Sequence, residues 1–139
     1  MNDMNRYHIG IDTGRHTGVA VWDTETRRLV AMETVTITKA MEIVLAYRNI
    51  GSVMLRIEDA RQRKWYGNTG RERLKGAGSV CRDATVWEDW CKEKGISCEF
   101  VAPRCNKTKM DKAQFKFTTK WIGKTSEHSR DAAMLVFGR

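Results

Sequence analysis

Four residues carry the chemistry this sequence can be read to perform. Asp12 closes a short apolar run, "YHIGID", and is followed at once by Thr13 and Gly14. Glu58 ends a second such run within "SVMLRIED", and His128 and Asp131 stand three apart in "SEHSRDAAMLVFG". A carboxylate at the end of a buried strand is costly, because desolvation favours its neutral form. Residues three apart on a helix share a face, so His128 and Asp131 can point to one spot. If the two acid-ending strands are neighbours and the last helix crosses their ends, three carboxylates and an imidazole meet. Like charges at that density repel, and hard oxygen donors suit magnesium or manganese. Two such ions, about 4 Å apart, would activate an attacking water and stabilise the leaving oxygen of a phosphodiester. Each residue also has a plainer role open to it. Asp before Gly forms turns, Glu58 with Asp59 can be a solvated strand end, His128 can be a surface residue, and Asp131 can pair with Arg130.

The elements that would position these residues are legible from pattern. Tyr7 to Asp12, Val19 to Trp22 and Leu29 to Thr38 are predicted strands of a meander, joined by a Gly14–Gly18 turn and the polar hairpin "DTETRR". Lys39 to Asn49 has helical periodicity and stops at Gly51, and Ser52 to Asp59 is a fourth strand. Arg61 to Gly78 is polar, basic and glycine-containing, so an exposed loop is expected. A helix follows from Ser79, its predicted N-cap, to Lys94. It carries one apolar stripe through Val80, Ala84, Trp87 and Cys91 and a second through Val86 and Trp90, the second being the expected contact with a partner subunit. "SCEFVAP" is a fifth strand. "KMDKAQFKFTTKWIG" is predicted helical through Met110, Ala113, Phe117 and Trp121, and a last helix runs from an N-cap at Ser126 to a stop at Gly138. The order implies a mixed α/β sheet with helices on its faces, in a single domain spanning residues 1–139.

Composition sets the partners. With 25 Lys and Arg against 17 Asp and Glu, the net charge is +8, which favours salt-dependent binding of polyanions. The excess is clustered: Arg56, Arg61, Arg63, Lys64, Arg71, Arg73 and Lys75 fall close together, with Trp65 and Tyr66 among them. Cations interleaved with aromatics can neutralise phosphates and stack on bases, so Arg61, Arg63, Lys64, Trp65, Tyr66, Arg71, Arg73 and Lys75 are the expected nucleic-acid contacts. Neither a long apolar span nor a signal peptide is evident, and a soluble cytoplasmic protein, away from membranes, is expected. Cys81, Cys91, Cys98 and Cys105 form no CxxC pair and match no common zinc spacing, so all four are read as reduced structural residues.

In this order, "IGIDTGRHTGVAV", "RIEDA", "DKAQ" and "HSRDAA" resemble the RuvC family of Holliday-junction resolvases, within the ribonuclease H-like superfamily. Asp12 lies in the counterpart of that family's Gly-Ile-Asp-Pro-Gly opening strand, with Thr13 in the proline position. Glu58 matches the acid ending its fourth strand, and His128 and Asp131 match its final-helix motif. The resemblance implies a five-stranded mixed sheet, made of a three-strand antiparallel meander plus parallel strands, flanked by helices. It implies a Mg2+- or Mn2+-dependent endonuclease of DNA recombination and repair that cuts four-way junctions as a homodimer. Asp12, Glu58, Asp131 and His128 would be its metal ligands, with His128 also able to move protons, because histidine titrates near neutral pH. Lys112 would stand near the scissile phosphate. The segment "DARQRKWYG" after Glu58 does not reproduce the family's wedge-like loop, and the chain is shorter than bacterial members. A compact phage-type member would fit. Two other readings stay open: a nucleic-acid-binding module without catalysis, and a ribonuclease H-like nuclease acting on linear or hybrid duplexes.

Overall fold

The computed structural model describes residues 5–62, 71–103 and 110–139, with residues 71–80 as helix backbone only. Strands β1 (Tyr7–Asp12), β2 (Thr17–Asp23) and β3 (Arg28–Val35) form the antiparallel meander. Helix α1 (Ile37–Arg48) leads to β4 (Val53–Glu58), and a single 3-10 turn, Ala60–Gln62, follows. Then come α2 (Arg71–Lys94), β5 (Ser97–Val101), α3 (Lys112–Thr119) and α4 (Glu127–Met134). The sheet order is β3-β2-β1-β4-β5, with β4 parallel to both β1 and β5. This is the expected mixed α/β architecture.

Alternation along the strands divides the interior in two. Ile9, Ile11, Val19, Val21, Leu55 and Ile57 face one side, where Ala40 and Val44 of α1 and Trp87 and Cys91 of α2 cover them. Ala20, Trp22, Leu29 and Met32 face the other, against Phe115 of α3 and Ala132 and Ala133 of α4. Asp12 and Glu58 belong by parity to this second face.

Four predicted boundaries are corrected. Strand β3 ends at Val35, and Ile37 and Thr38, predicted as strand, open α1 behind the Thr36 cap. Helix α2 begins at Arg71 rather than Ser79, so Arg71, Arg73 and Lys75 lie on a helix and not in a loop. "RERLK" is made of strong helix formers, and glycine at Gly76 and Gly78 costs about 1 kcal/mol each without ending the helix. Helix α3 is shorter than predicted: Asp111 and Gln114 form a capping box at its start, and Lys120, in the left-handed region at φ 66°, ends it. Its buried face is Phe115, while Phe117, one of the residues on which the helix was predicted, is 78% exposed. Helix α4 starts at its predicted N-cap, Ser126, and gives way at Leu135 to turns that run to Gly138. The second stripe of α2 also resolves differently. Trp90 packs partly buried against the same core as Trp87, its ring edge-on at 5.4 Å, and Val86 alone of that pair is exposed.

Candidate active site at the carboxyl ends of β1 and β4

Parallel pairing sets Ile11 opposite Ile57, so the next residues, Asp12 and Glu58, lie at about the same level on adjacent strands. A bond from the Thr13 hydroxyl to the Glu58 carbonyl, 3.5 Å long, spans the two strand ends. Across the antiparallel ladder, Asp12 faces Gly18 of β2. Here the glycine is essential, because a Cβ at Gly18 would overlap the His128 carbonyl, and one at Gly10 would overlap the Ala132 carbonyl. With no side chains in between, α4 seats directly on the β1 and β2 backbones. The capping box of Ser126 and Ser129 fixes where the helix begins, and the Thr34 and Ser126 hydroxyls hydrogen-bond across to β3.

This seating brings His128 to Asp12. Its Nδ1 lies 3.0 Å from Asp12 Oδ2. The Asp12 side chain is 12% exposed and that of His128 46%, so the acid sits inside and the imidazole at the mouth. Burial pushes the Asp12 carboxyl up from its ordinary value of 3.8 to about 6. The hydrogen bond from His128 opposes that rise, while the charges of Glu58 and Asp131 add to it. Groups from three distant stretches of the sequence thus act electrostatically on Asp12 at one end of the sheet. His16, in the β1–β2 turn, places its ring 6.3 Å from that of His128.

The donor set suits a hard dication, since mutually opposed carboxylates are what such an ion would relieve. A ready-formed pocket, however, is not what these side chains make. Among the described residues, no group of three or more His, Cys, Asp or Glu side chains is gathered to hold one ion. One Asp12 oxygen is engaged by His128.

The remaining sequence-derived candidates fare differently. Lys112 opens α3, exposed, on the wall of a cavity it shares with Lys116 and Lys124. Arg63, Lys64, Trp65 and Tyr66 lie outside the described residues, and Arg71, Arg73 and Lys75 are described only as helix backbone. Arg61 is engaged within the protein. It bonds Asp59 through Nε at 2.8 Å and Nη2 at 3.0 Å, reaches Glu88 of α2 at 2.7 Å, and lies over the Phe100 ring. Burial works to raise the Asp59 carboxyl, but hydrogen bonds from Arg61 and Gln62 outweigh it and hold Asp59 below the usual range. Arg61 therefore pins α2 to the end of β4. Arg56 likewise pairs with Glu99 of β5. Burial pushes the Cys91 thiol up to about 12 and raises that of its neighbour Cys98, a setting that favours unreactive thiols.

Sequence reasoning missed the Arg61 lock and the glycine seat of α4. The signals were present: an acid two residues before an arginine, and glycines on the strand face where large residues would otherwise stand.

No family model matches the chain, and no curated protein does. Among solved structures, the chain is similar to RuvC from T. thermophilus in complex with a Holliday junction substrate, at 17% identity and a TM-score of 0.54. The match covers 93% of this chain and 89% of that one. It establishes the fold as ribonuclease H-like.

Proposed function

We propose that the protein is a divalent-metal-dependent endonuclease that hydrolyses phosphodiesters in branched DNA, with the four-way junction as its substrate and a homodimer as its working form. One observation carries the reading. A buried carboxyl at the end of the first strand is held by a histidine from the last helix and opposed by acids from β4 and α4. The ribonuclease H-like fold and the net charge of +8 support it.

Asp12, Glu58 and Asp131, together with His128, would hold Mg2+ or Mn2+. When bound, such an ion supplies positive charge that favours attack by water and offsets charge on the departing oxygen. The protein's own groups do the rest. Water attacks phosphorus, the bond to the leaving oxygen breaks, and that oxygen leaves with a proton. His128, at the mouth, would either complete that ligand set or take or give a proton there. Lys112 offers an ammonium to the phosphate oxygens, whose charge grows in the transition state.

The test is cleavage of a synthetic four-way junction with and without divalent metal, with nicks mapped on every strand. Symmetric metal-dependent nicks in opposed strands are expected. One feature favours a second reading, a binding module without catalysis: the acids are not gathered around a common point among the described residues. Binding of the junction without cutting under any metal would establish that reading, and preferential cutting of linear or hybrid duplexes would overturn the junction assignment.

A further inference from the structure

A cavity of about 380 Å3 opens between α3 and the segment 121–125. Lys112 and Lys116, one turn apart on α3, line it with Phe115, and Trp121, Ile122 and Lys124 line it from the following segment. The cavity therefore combines cationic and apolar side chains, and among the described residues no acidic side chain lines it. None of the ion pairs seen among the described residues uses Lys112, Lys116 or Lys124.

The Trp121 segment is held in place. The Trp121 indole N–H donates to the Lys124 carbonyl at 3.4 Å, and Gly123 lies so close that a Cβ there would stand 3.0 Å from the indole nitrogen. Arg130 of α4 donates to the Thr125 hydroxyl at 2.8 Å, in the lining, and to the Met110 carbonyl at 3.0 Å, just before α3, tying both segments to the helix that carries His128. Ile122, 87% exposed, is left with an uncovered apolar side chain at the opening.

Three ammonium groups around an indole exclude an apolar ligand, which could not satisfy the charges. A free phosphate would have no use for the apolar side chains. A base with flanking phosphates uses both, because every base offers a face to stack and every linkage a negative charge. The volume lies at the small end of the range for organic ligands, roughly 300–1,000 Å3, and matches one nucleotide rather than a duplex. Resting on the reading of DNA as substrate, we propose that this cavity is a subsite for a single unpaired nucleotide, its base against Trp121 and Ile122 and its flanking phosphates on Lys112, Lys116 and Lys124.

The experiment measures binding of a fluorescein-labelled oligothymidylate to the full chain without divalent metal, so that nothing is cut. An abasic strand of equal length, a blunt duplex and inorganic phosphate serve as the other probes. Lys116→Gln with Lys124→Gln, both exposed positions, should weaken oligothymidylate binding at least tenfold. The slope of log affinity against log salt should fall by about 0.7 per lysine removed. Trp121→Leu should lose about tenfold toward oligothymidylate and little toward the abasic strand. Since Trp121 also packs on the second core, melting curves accompany it, and the lysine variants stand as the independent arm. Equal affinity for the thymidylate and abasic strands, or unchanged binding in the lysine variant, would overturn the subsite. So would displacement of the oligomer by millimolar inorganic phosphate, which marks a simple anion site. The two proposals fail separately. A protein that cuts no junction yet binds oligothymidylate through these lysines loses only the nuclease reading. A protein that cuts normally while the lysine variant binds unchanged loses only the subsite.

Discussion

Replacing Asp12 by Asn should make the protein more stable and abolish its activity. The Asp12 carboxyl is raised from 3.8 to about 6, with burial the largest cause. An acid raised in this way binds more protons folded than unfolded between those two values. Stability therefore falls as pH climbs from about 4 to about 6, and the whole deficit stands above that window. At 1.36 kcal/mol per pKa unit, the ionised acid costs roughly 3 kcal/mol at pH 7.5. Asn keeps the shape and an oxygen for His128 and carries no charge. Chemical denaturation should show Asp12→Asn gaining about 2–3 kcal/mol over the unmodified protein at pH 7.5, and almost nothing at pH 4. Millimolar magnesium or manganese should narrow the gap by stabilising the unmodified protein alone. Junction cleavage should disappear in the variant while junction binding persists. A variant no more stable at pH 7.5, or one whose advantage is as large at pH 4, would refute the claim that this carboxylate is held against its electrostatic preference.

Other substitutions probe the scaffold. Gly18→Ala should push the start of α4 off the sheet, costing about 1–3 kcal/mol as an overpacked contact and on the order of a hundredfold in cleavage through misplacement of His128; melting and single-turnover rates together report both. Arg61→Ala should destabilise by about 2 kcal/mol in urea at pH 7, because it strips the buried Asp59 of its main partner. Asp59 lies below its usual range, so the stability it provides is present above about 4 and lost as pH falls through its folded value; the variant should therefore show a shallower acid limb. Phe115→Ala should cost about 3–5 kcal/mol, whereas Phe117→Ser should stay within about 0.5 kcal/mol of the unmodified protein, a contrast read from paired denaturation curves.

The strands and their terminal acids were legible because alternation is a strong local signal, and an acid after "HIGI" or "LRI" interrupts it visibly. The start of α4 was legible because Ser126 is a capping residue before a helical pattern. The face of α3 was not. In a helix of eight residues, Phe115 and Phe117 point to opposite sides, and nothing local says which side meets the sheet. The start of α2 was hidden by glycines that read as loop yet are tolerated among good helix formers. Arg61 looked like a surface cation because composition counts charges without their partners; its lock to Glu88 spans 27 positions. The Asp12–His128 bond spans 116. Spacing could bring those residues to one end of the fold, but only the packed arrangement shows one acid oxygen already committed to a ring nitrogen.

Where α4 rests on Gly10 and Gly18, its height above the sheet is set by peptide atoms common to every residue rather than by the bulk of any side chain. Sequence drift elsewhere on that face can reshape the surrounding oil without changing how deep the imidazole reaches. Tolerance and vulnerability are thus concentrated: a single added carbon at either of two places threatens an alignment that many larger exchanges would leave alone.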